Sequence, residues 1–544
     1  MTATRAVVVF VLACSLLAMP AAAGTNSTDT GADTATLTAA FPDPVARGDP
    51  GEFVAVRFEE PTNATGWTLT DGTTTARLPN RTFDGEYAFS TTPEHAANHT
   101  DLPVAELDGR LQLADDGDRI QLDDGDATVD RARYRRAPTS ELRDFESEAW
   151  VPIGATAYEP RRTDGGRATA FVLPDAPDRT VETLRIADER LYLAGYTLSS
   201  ERVRDALVAA HERGVDVRVL LDGAPVGGMS ERQARILGEL HDAGVEVRLL
   251  AGPHVRYSHH HPKYAVVDDR LLVTTENFKP AGTGGMSSRG WGVVLDDSEA
   301  VETVADLYHT DADWRAATPW PTYRDGRQFR SGEPALGEFE ERHTPAEVAV
   351  DSTTVLVAPD NAGEALEGRL ETASERVLIQ QVTIGSRDNR LLRAAITAAE
   401  RGATVRIQLS DAWYVAEDNA ELVAWLNRRA ESEGWDLRAQ VDDPDGYGKI
   451  HTKGVVVDDA VVVGSLNWRA ASIRENREVA VVLEGDAPAA YYAEVFEGDW
   501  SDDERRSVPV GIPIAAVTAV AAALLVGRRI DYGETGERID GWRS

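Results

Sequence analysis

"SHHHPKYAVVDD", Ser258–Asp269, and "KIHTKGVVVDD", Lys449–Asp459, decide how this 544-residue chain folds. Laid over one another, they align His261 with His451, Lys263 with Lys453 and Asp268 with Asp458, while His259 and His260 find no histidine partner. The match continues upstream. "ERLYLAGYTLSS" (Glu189–Ser200) matches "ERVLIQQVTIGS" (Glu375–Ser386), and "ALVAAHERGVDVRVLLDG" (Ala206–Gly223) matches "LRAAITAAERGATVRIQLSD" (Leu392–Asp411), at offsets drifting from 186 to 190 residues. A long chain that repeats itself in this way folds as similar units. Apolar periodicity makes each copy a strand, a helix ending at Gly214 or Gly402, a strand, a second helix, a strand and a hairpin. The expected fold class is therefore α/β: two repeated lobes, residues 175–315 and 345–500, about an approximate two-fold axis.

Side chains alternate along a strand, so His261 and Lys263 share one face, as do His451 and Lys453. A fold centred on residue 269 sets Asn277 opposite His261 and Thr275 opposite Lys263; one centred on 459 sets Asn467 opposite His451 and Ser465 opposite Lys453,. Each lobe then offers an imidazole, an ammonium, an amide and a hydroxyl. Asp268 and Asp458 sit at the turns, out of phase with that face, and read as structural anchors together with Gly464. A lone strand histidine reads as core; two matching sets do not. A phosphodiester needs a nucleophile, a proton donor for the leaving oxygen and cationic donors around phosphorus, and this set holds all three. A zinc site built from His259, His260 and His261 is the weaker reading, because neighbours on a strand diverge and no further ligand recurs at zinc spacing.

H-x-K-x4-D twice over, with Gly464-Ser465-x-Asn467 after the second, resembles the phospholipase D superfamily from about Thr180 to Trp500. The resemblance implies a site at the lobe interface, with both histidines flanking one phosphorus. It also implies a phosphohistidine attacked by water or an alcohol, and no metal or other cofactor. The copies are unequal. Copy one has Thr274-Thr275 for Gly-Ser, and its "RGWGVV" has Gly290 near where "NREVAVV" of copy two offers Asn476 and Glu478. The family often places there a carboxylate that orients its histidine. Read within one copy, Glu478 holds His451 protonated as the general acid and leaves His261 as the nucleophile.

The chain begins with Arg5, an apolar run and an A-x-A stop, the pattern of a signal peptide over residues 1–23,. A lipid box at Val11–Cys14 is the rival reading, and Cys14 is the only cysteine, so no disulfide is expected,. Residues 508–526 hold 19 uncharged residues before Arg528 and Arg529, the pattern of one membrane span with a cytoplasmic tail at 527–544,. The net charge is -35, and lysine is nearly absent: Lys263, Lys279, Lys449 and Lys453 are the only four. Such composition resembles halophilic adaptation. At molar salt the screening length is about 3 Å, so acidity argues only weakly against a polyanionic substrate.

Short alternating runs over 36–140 ("EFVAVRF", "GWTLTDG", "YAFST") predict a β-sandwich that resembles the immunoglobulin-like lamin-tail domain,. All four N-x-[ST] sequons, Asn26, Asn63, Asn80 and Asn98, fall at or before this module and read as glycosylation sites,. Together these features predict an exported, membrane-tethered phosphodiesterase that hydrolyses or exchanges phospholipid head groups. An extracellular nuclease on the same scaffold and a non-catalytic surface binding protein are the alternatives.

Overall fold

Each repeat forms its elements from the same local signals. Ser200 and Ser230 cap the helices Glu201–Glu212 and Glu231–Asp242, their hydroxyls accepting from the backbone N–H of Val203 and Gln233,. Asn389 caps Arg390–Glu400 in the same way. Gly214 and Gly402 end the first helix of each lobe at φ of +93° and +103°, where a side chain would be strained,. The computed structural model that shows this describes residues 35–45, 48–283, 288–332, 341–444 and 446–506. Residues 1–23, where a signal peptide is expected, Asn26, the apolar segment 508–526 and residues 527–544, expected as a tail, lie outside the described residues. Among those described, no helix is long and apolar enough to cross a membrane.

In lobe one the parallel strands Arg190–Gly195, Asp216–Asp222 and Glu246–Leu250 lie beside an antiparallel hairpin, Lys263–Val267 with Arg270–Thr274, and a return strand, Ser288–Asp296. Lobe two repeats the order with Arg376–Gln381, Thr404–Leu409, Leu437–Val441, the hairpin Lys453–Val457 with Ala460–Gly464, and the return strand Glu478–Glu484. Helices cover the outer face of each sheet. The inner faces meet in one shared apolar core that takes Val266, Leu271 and Trp291 from lobe one and Val456, Val463 and Val479 from lobe two. Gly454 leaves the space that the Trp291 ring fills across this interface.

The lobe boundaries depart from expectation because the edges are exchanged. Arg161–Asp164 pairs with Ser352–Ala358 in the sheet of lobe two, whereas the next strand, Arg167–Leu173, pairs with the return strand of lobe one. Ala346–Ala349, placed in lobe two by the sequence, pairs with Arg167–Leu173 in lobe one. Edge strands take whichever open ladder the connection reaches, so 175 and 345 are not the boundaries of the sheets.

Residues before the lobes form two sheets of six and five strands that share a core including Val54, Val56, Phe58, Leu69, Ile120 and Leu122. The six-stranded sheet runs beyond residue 140 through Glu141–Asp144 and Trp150–Pro152. This module docks on both lobes: Arg474 bonds the buried Glu141 and the Trp150 carbonyl, and Asn98 meets His254 at 2.6 Å. Asn63 and Asn80 are exposed. Asn98 is not: it is 7 % exposed and its amide also donates to the Glu94 carbonyl, so the glycosylation expectation fails there.

Candidate active site

Strand pairing fixes which groups meet. Val267 pairs with Arg270 and Val457 with Ala460, so each hairpin closes through two residues, Asp268–Asp269 and Asp458–Asp459. Asp268 and Asp458 both stand at φ +53°, the left-handed conformation a tight two-residue turn needs,. The expected register was one residue out: the same ladder, continued, sets Lys263 against Thr274 and Lys453 against Gly464. Asp268 accepts the N–H groups of Asp188, Glu189 and Arg190, and Asp458 those of Ser374, Glu375 and Arg376, which ties each hairpin to the first strand of its lobe.

Beyond the hairpin strands, each histidine leaves its own sheet and bonds the other lobe. The backbone N–H of His261 donates to the Arg477 carbonyl and that of His451 to the Arg289 carbonyl, both at 2.9 Å. Arg289 and Arg477 are therefore equivalent, and each is fully buried in an ion-pair set that ties the lobes together. Arg289 bonds Asp175 of lobe one and Asp499 of lobe two; Arg477 bonds Asp311 of lobe one and Asp360 of lobe two. Burial opposes the charge on both arginines, but the carboxylates around them hold it above the usual arginine value.

The side chains complete the crossing. His261 Nδ1 lies 2.8 and 3.0 Å from the two oxygens of Glu478, and Asn476 steadies that carboxylate at 3.1 Å. His451 Nδ1 lies 3.2 Å from Glu276. The within-copy pairing of Glu478 with His451 is thus overturned, and with it the reason for making His451 the acid. Glu478 serves the histidine of the other lobe, because the histidine strands cross the interface. Glu276, which the sequence reading missed, supplies the second carboxylate. Burial alone would raise it, but His451, Lys453 and Lys449 hold it below its ordinary range.

Lys263 Nζ donates to the His261 carbonyl at 2.7 Å, and Lys453 Nζ to that of His451 at 2.6 Å and of Thr275 at 3.2 Å. Burial pushes Lys453 down to about 8, and pushes Lys263 well below its usual value with the help of the Lys453 charge. The imidazoles, 12 % and 17 % exposed, are also pushed down by burial, to about 4 for His261 and about 3 for His451, against the pull of their carboxylates. Two ammoniums and two depressed imidazoles sharing one cleft form a ready seat for an anion.

The remaining expected residues divide. Asn277 and Asn467 are half-buried at equivalent positions, and the buried Oδ1 of Asn277 has no protein partner. Ser465 is fully buried and its hydroxyl both donates to and accepts from the Val479 backbone, so it staples two strands instead of facing the cleft. The Thr275 hydroxyl likewise faces the neighbouring strand, accepting the Trp291 N–H. Gly464 permits close approach to Val479 and Ala480. The adjacent histidine rings diverge: His259 lies 3.7 Å from Asp222 and His260 4.0 Å from Asp311, which leaves His261 alone on Glu478.

Comparison with known proteins matches both lobes, residues 180–312 and 366–500, to the family model described as "Cardiolipin synthase, PLD-like domain". Cardiolipin synthase A of Edwardsiella ictaluri is 26 % identical over 311 residues, 53 % of this chain and 58 % of that protein. Cardiolipin synthase A of Cronobacter sakazakii is 26 % identical over 317 residues, 54 % of this chain and 60 % of that one. The chain thus spans about three fifths of the length of these relatives. Among solved structures, phosphatidylserine synthase of Haemophilus influenzae aligns at 18 % identity and a TM-score of 0.46, covering 61 % of this chain and 85 % of its own. The family model thus falls on the two lobes that bring His261 and His451 together.

Proposed function

We propose that the chain is a phosphodiesterase of the phospholipase D type that transfers or hydrolyses phospholipid head groups. The observation that carries this reading is the crossed pair: two imidazoles, each held at Nδ1 by a carboxylate, with two buried lysines beside them. With both Nδ1 atoms engaged, the Nε2 atoms are the ones presented for chemistry. One, neutral, attacks phosphorus; the P–N bond forms, the P–O bond to the head group breaks, and the leaving oxygen takes its proton from the Nε2 of the other, which its carboxylate and the charge of the bound phosphodiester hold as an imidazolium. That second imidazole then removes a proton from water or an alcohol, whose oxygen attacks phosphorus and breaks the P–N bond. Lys263 and Lys453 stabilise charge on the non-bridging oxygens. The names of the cardiolipin synthase relatives support a lipid over other phosphodiesters. The apolar segments at 1–23 and 508–526 support an exported, membrane-tethered form, and the N-terminal β-module a lamin-tail-like sandwich. The test is to offer the purified full chain a head-group-labelled phospholipid, with and without an alcohol acceptor, and DNA, side by side at molar salt. Head-group release with DNA left intact is expected; DNA cleavage with lipid untouched would overturn the reading.

A further inference from the structure

The proposed function leaves one surface unused. Among the described residues, Val226 (81 % exposed) and Trp413 (91 %) are by far the barest of the large apolar side chains, and Tyr414 (46 %) adjoins the latter. They are not scattered. Val226 lies in the loop between the strand Asp216–Asp222 and the helix Glu231–Asp242, and Trp413 and Tyr414 in the loop between Thr404–Leu409 and Ala416–Glu433. These are the same loop in the two repeats, at the carboxyl ends of equivalent parallel strands.

Both loops connect to the reacting groups. The Val226 N–H donates to the Tyr196 hydroxyl at 2.5 Å, and the Tyr196 ring lies edge-on to His261 with centroids 4.7 Å apart. On the other side, the Tyr414 ring lies 5.6 Å from Lys449 Nζ, and the Lys449 charge acts on Lys453, Glu276 and Lys279. All four lysines of this arginine-rich chain therefore gather around the cleft. The two apolar tips thus stand on equivalent loops of the repeat, one linked through Tyr196 to His261 and the other beside Lys449. Aromatic tips beside ammonium groups match the chemistry of a lipid interface, where rings sit at head-group level and cations meet phosphate. A protein of net charge -35 gains little general attraction to anionic lipid. Apolar insertion, which molar salt does not screen, is the interaction open to it.

We propose that the Val226 and Trp413–Tyr414 tips insert together into a phospholipid surface and seat the mouth of the cleft on it. This rests on the lipid reading above, and the experiment separates the two. The full chain is mixed with phosphatidylglycerol–phosphatidylcholine vesicles whose acyl chains are brominated near the head group, and quenching of tryptophan fluorescence is read without turnover. Quenching is expected in the wild type and should be largely lost in Trp413→Ser. In parallel, head-group release is measured on vesicles and on a short-chain lipid dispersed as monomers. Trp413→Ser and Val226→Ser should each lose about tenfold on vesicles and stay within about twofold on monomers. Equal quenching in wild type and Trp413→Ser, or equal losses on both lipid forms, would overturn the proposal. Wild-type quenching at Trp413 with no lipid turnover would instead sustain the docking surface and remove the lipid reaction.

Discussion

In the His261 half of the site the orienting carboxylate, Glu478, stands on the return strand of lobe two, directly after Arg477. In the His451 half the equivalent position, directly after Arg289, is Gly290, and the carboxylate comes from Glu276, at the end of the neighbouring strand. The two facts are linked. A Cβ on Gly290 would come within 2.5 Å of Glu276 Cγ and 3.1 Å of Glu276 Oε1, so the glycine makes the room that Glu276 occupies. Lobe two shows the reverse arrangement, with Leu466 where lobe one has Glu276. What the repeat has kept is the place of a negative charge in space, not its place in the sequence. The halves also differ in grip: His261 has two carboxylate oxygens within 3.0 Å, whereas His451 has one at 3.2 Å and shares its Nδ1 with Lys453, also at 3.2 Å.

The largest effects should ignore this difference. His261→Ala and His451→Ala should each lose about 10⁴-fold or more in turnover, since each removes a group that must form a bond or move a proton. Both rings are partly exposed, so thermal unfolding should change little. Activity within tenfold of wild type in either variant would show that only one half takes part in the chemistry. Lys263→Arg and Lys453→Arg should follow, with losses of about 10²-fold or more in kcat, because a planar guanidinium cannot bond its own histidine carbonyl and fit beside phosphate in the same space. A near-normal rate for either would mean that a cation of any shape suffices there.

Next come the carboxylates, where the comparison can be tested directly. Glu478→Gln and Glu276→Gln should each cost about 10- to 100-fold, the usual scale for a group that orients a reacting one. Gly290→Ala should cost a similar factor although it touches no substrate, by pushing Glu276 aside. Restoring the lobe-two pattern, Glu276→Leu with Gly290→Glu, should recover activity relative to Glu276→Leu alone; no recovery would mean that Glu276 and Gly290 are not a transposed pair. The pH profile adds a sign. Removing a carboxylate lowers the pKa of its histidine, so each Gln variant should move one limb of kcat/KM to lower pH. The variant that moves the alkaline limb marks its histidine as the acid, and the other should move the acid limb. A limb that rises, or two unmoved profiles, would break the assignment of these carboxylates to their histidines.

Much of this was legible in the sequence because a repeat is read by alignment alone. The two H-x-K pairs, the order of elements in each lobe and the anchoring aspartates Asp268 and Asp458 all follow from residues that recur at matching positions. The hairpin register was not legible, because a two-residue and a three-residue turn differ only in whether Asp268 adopts positive φ, and aspartate tolerates either conformation. The carboxylate partners were illegible for a deeper reason. They cross between lobes, and in one lobe the carboxylate has moved to another strand, so no spacing rule within a copy could find Glu276. A signal for the buried ion pairs did exist: Asp175 and Asp360 each follow a proline, and Asp311 and Asp499 fall 188 residues apart, the same offset as Arg289 and Arg477.

The smallest effect concerns the two histidines that precede His261. Superposing the repeats sets His259 on Lys449 and His260 on Ile450, and the backbone agrees: His260 pairs with Arg477 as Ile450 pairs with Arg289. Ile450 is fully buried, and so is His260, whose ring burial pushes down to about 4 and whose ring nitrogens have no hydrogen-bond partner. A neutral imidazole in the place of an isoleucine is there to fill volume. His260→Ala should therefore destabilise the protein by about 2 kcal/mol through the cavity it leaves, while kcat/KM below the unfolding transition stays within about threefold of wild type. His260→Ile, which copies lobe two, should restore most of the lost stability and keep the activity. His259→Ala, at a half-buried position on the rim, should change neither by more than a small factor. If His260→Ile folds but is as inactive as His261→Ala, the ring of His260 takes part in the reaction and the equivalence of the two lobes fails at this position. If it keeps wild-type turnover, His261 is the one histidine of the three that the chemistry uses, and the lobes differ beside it only in how the same space is filled.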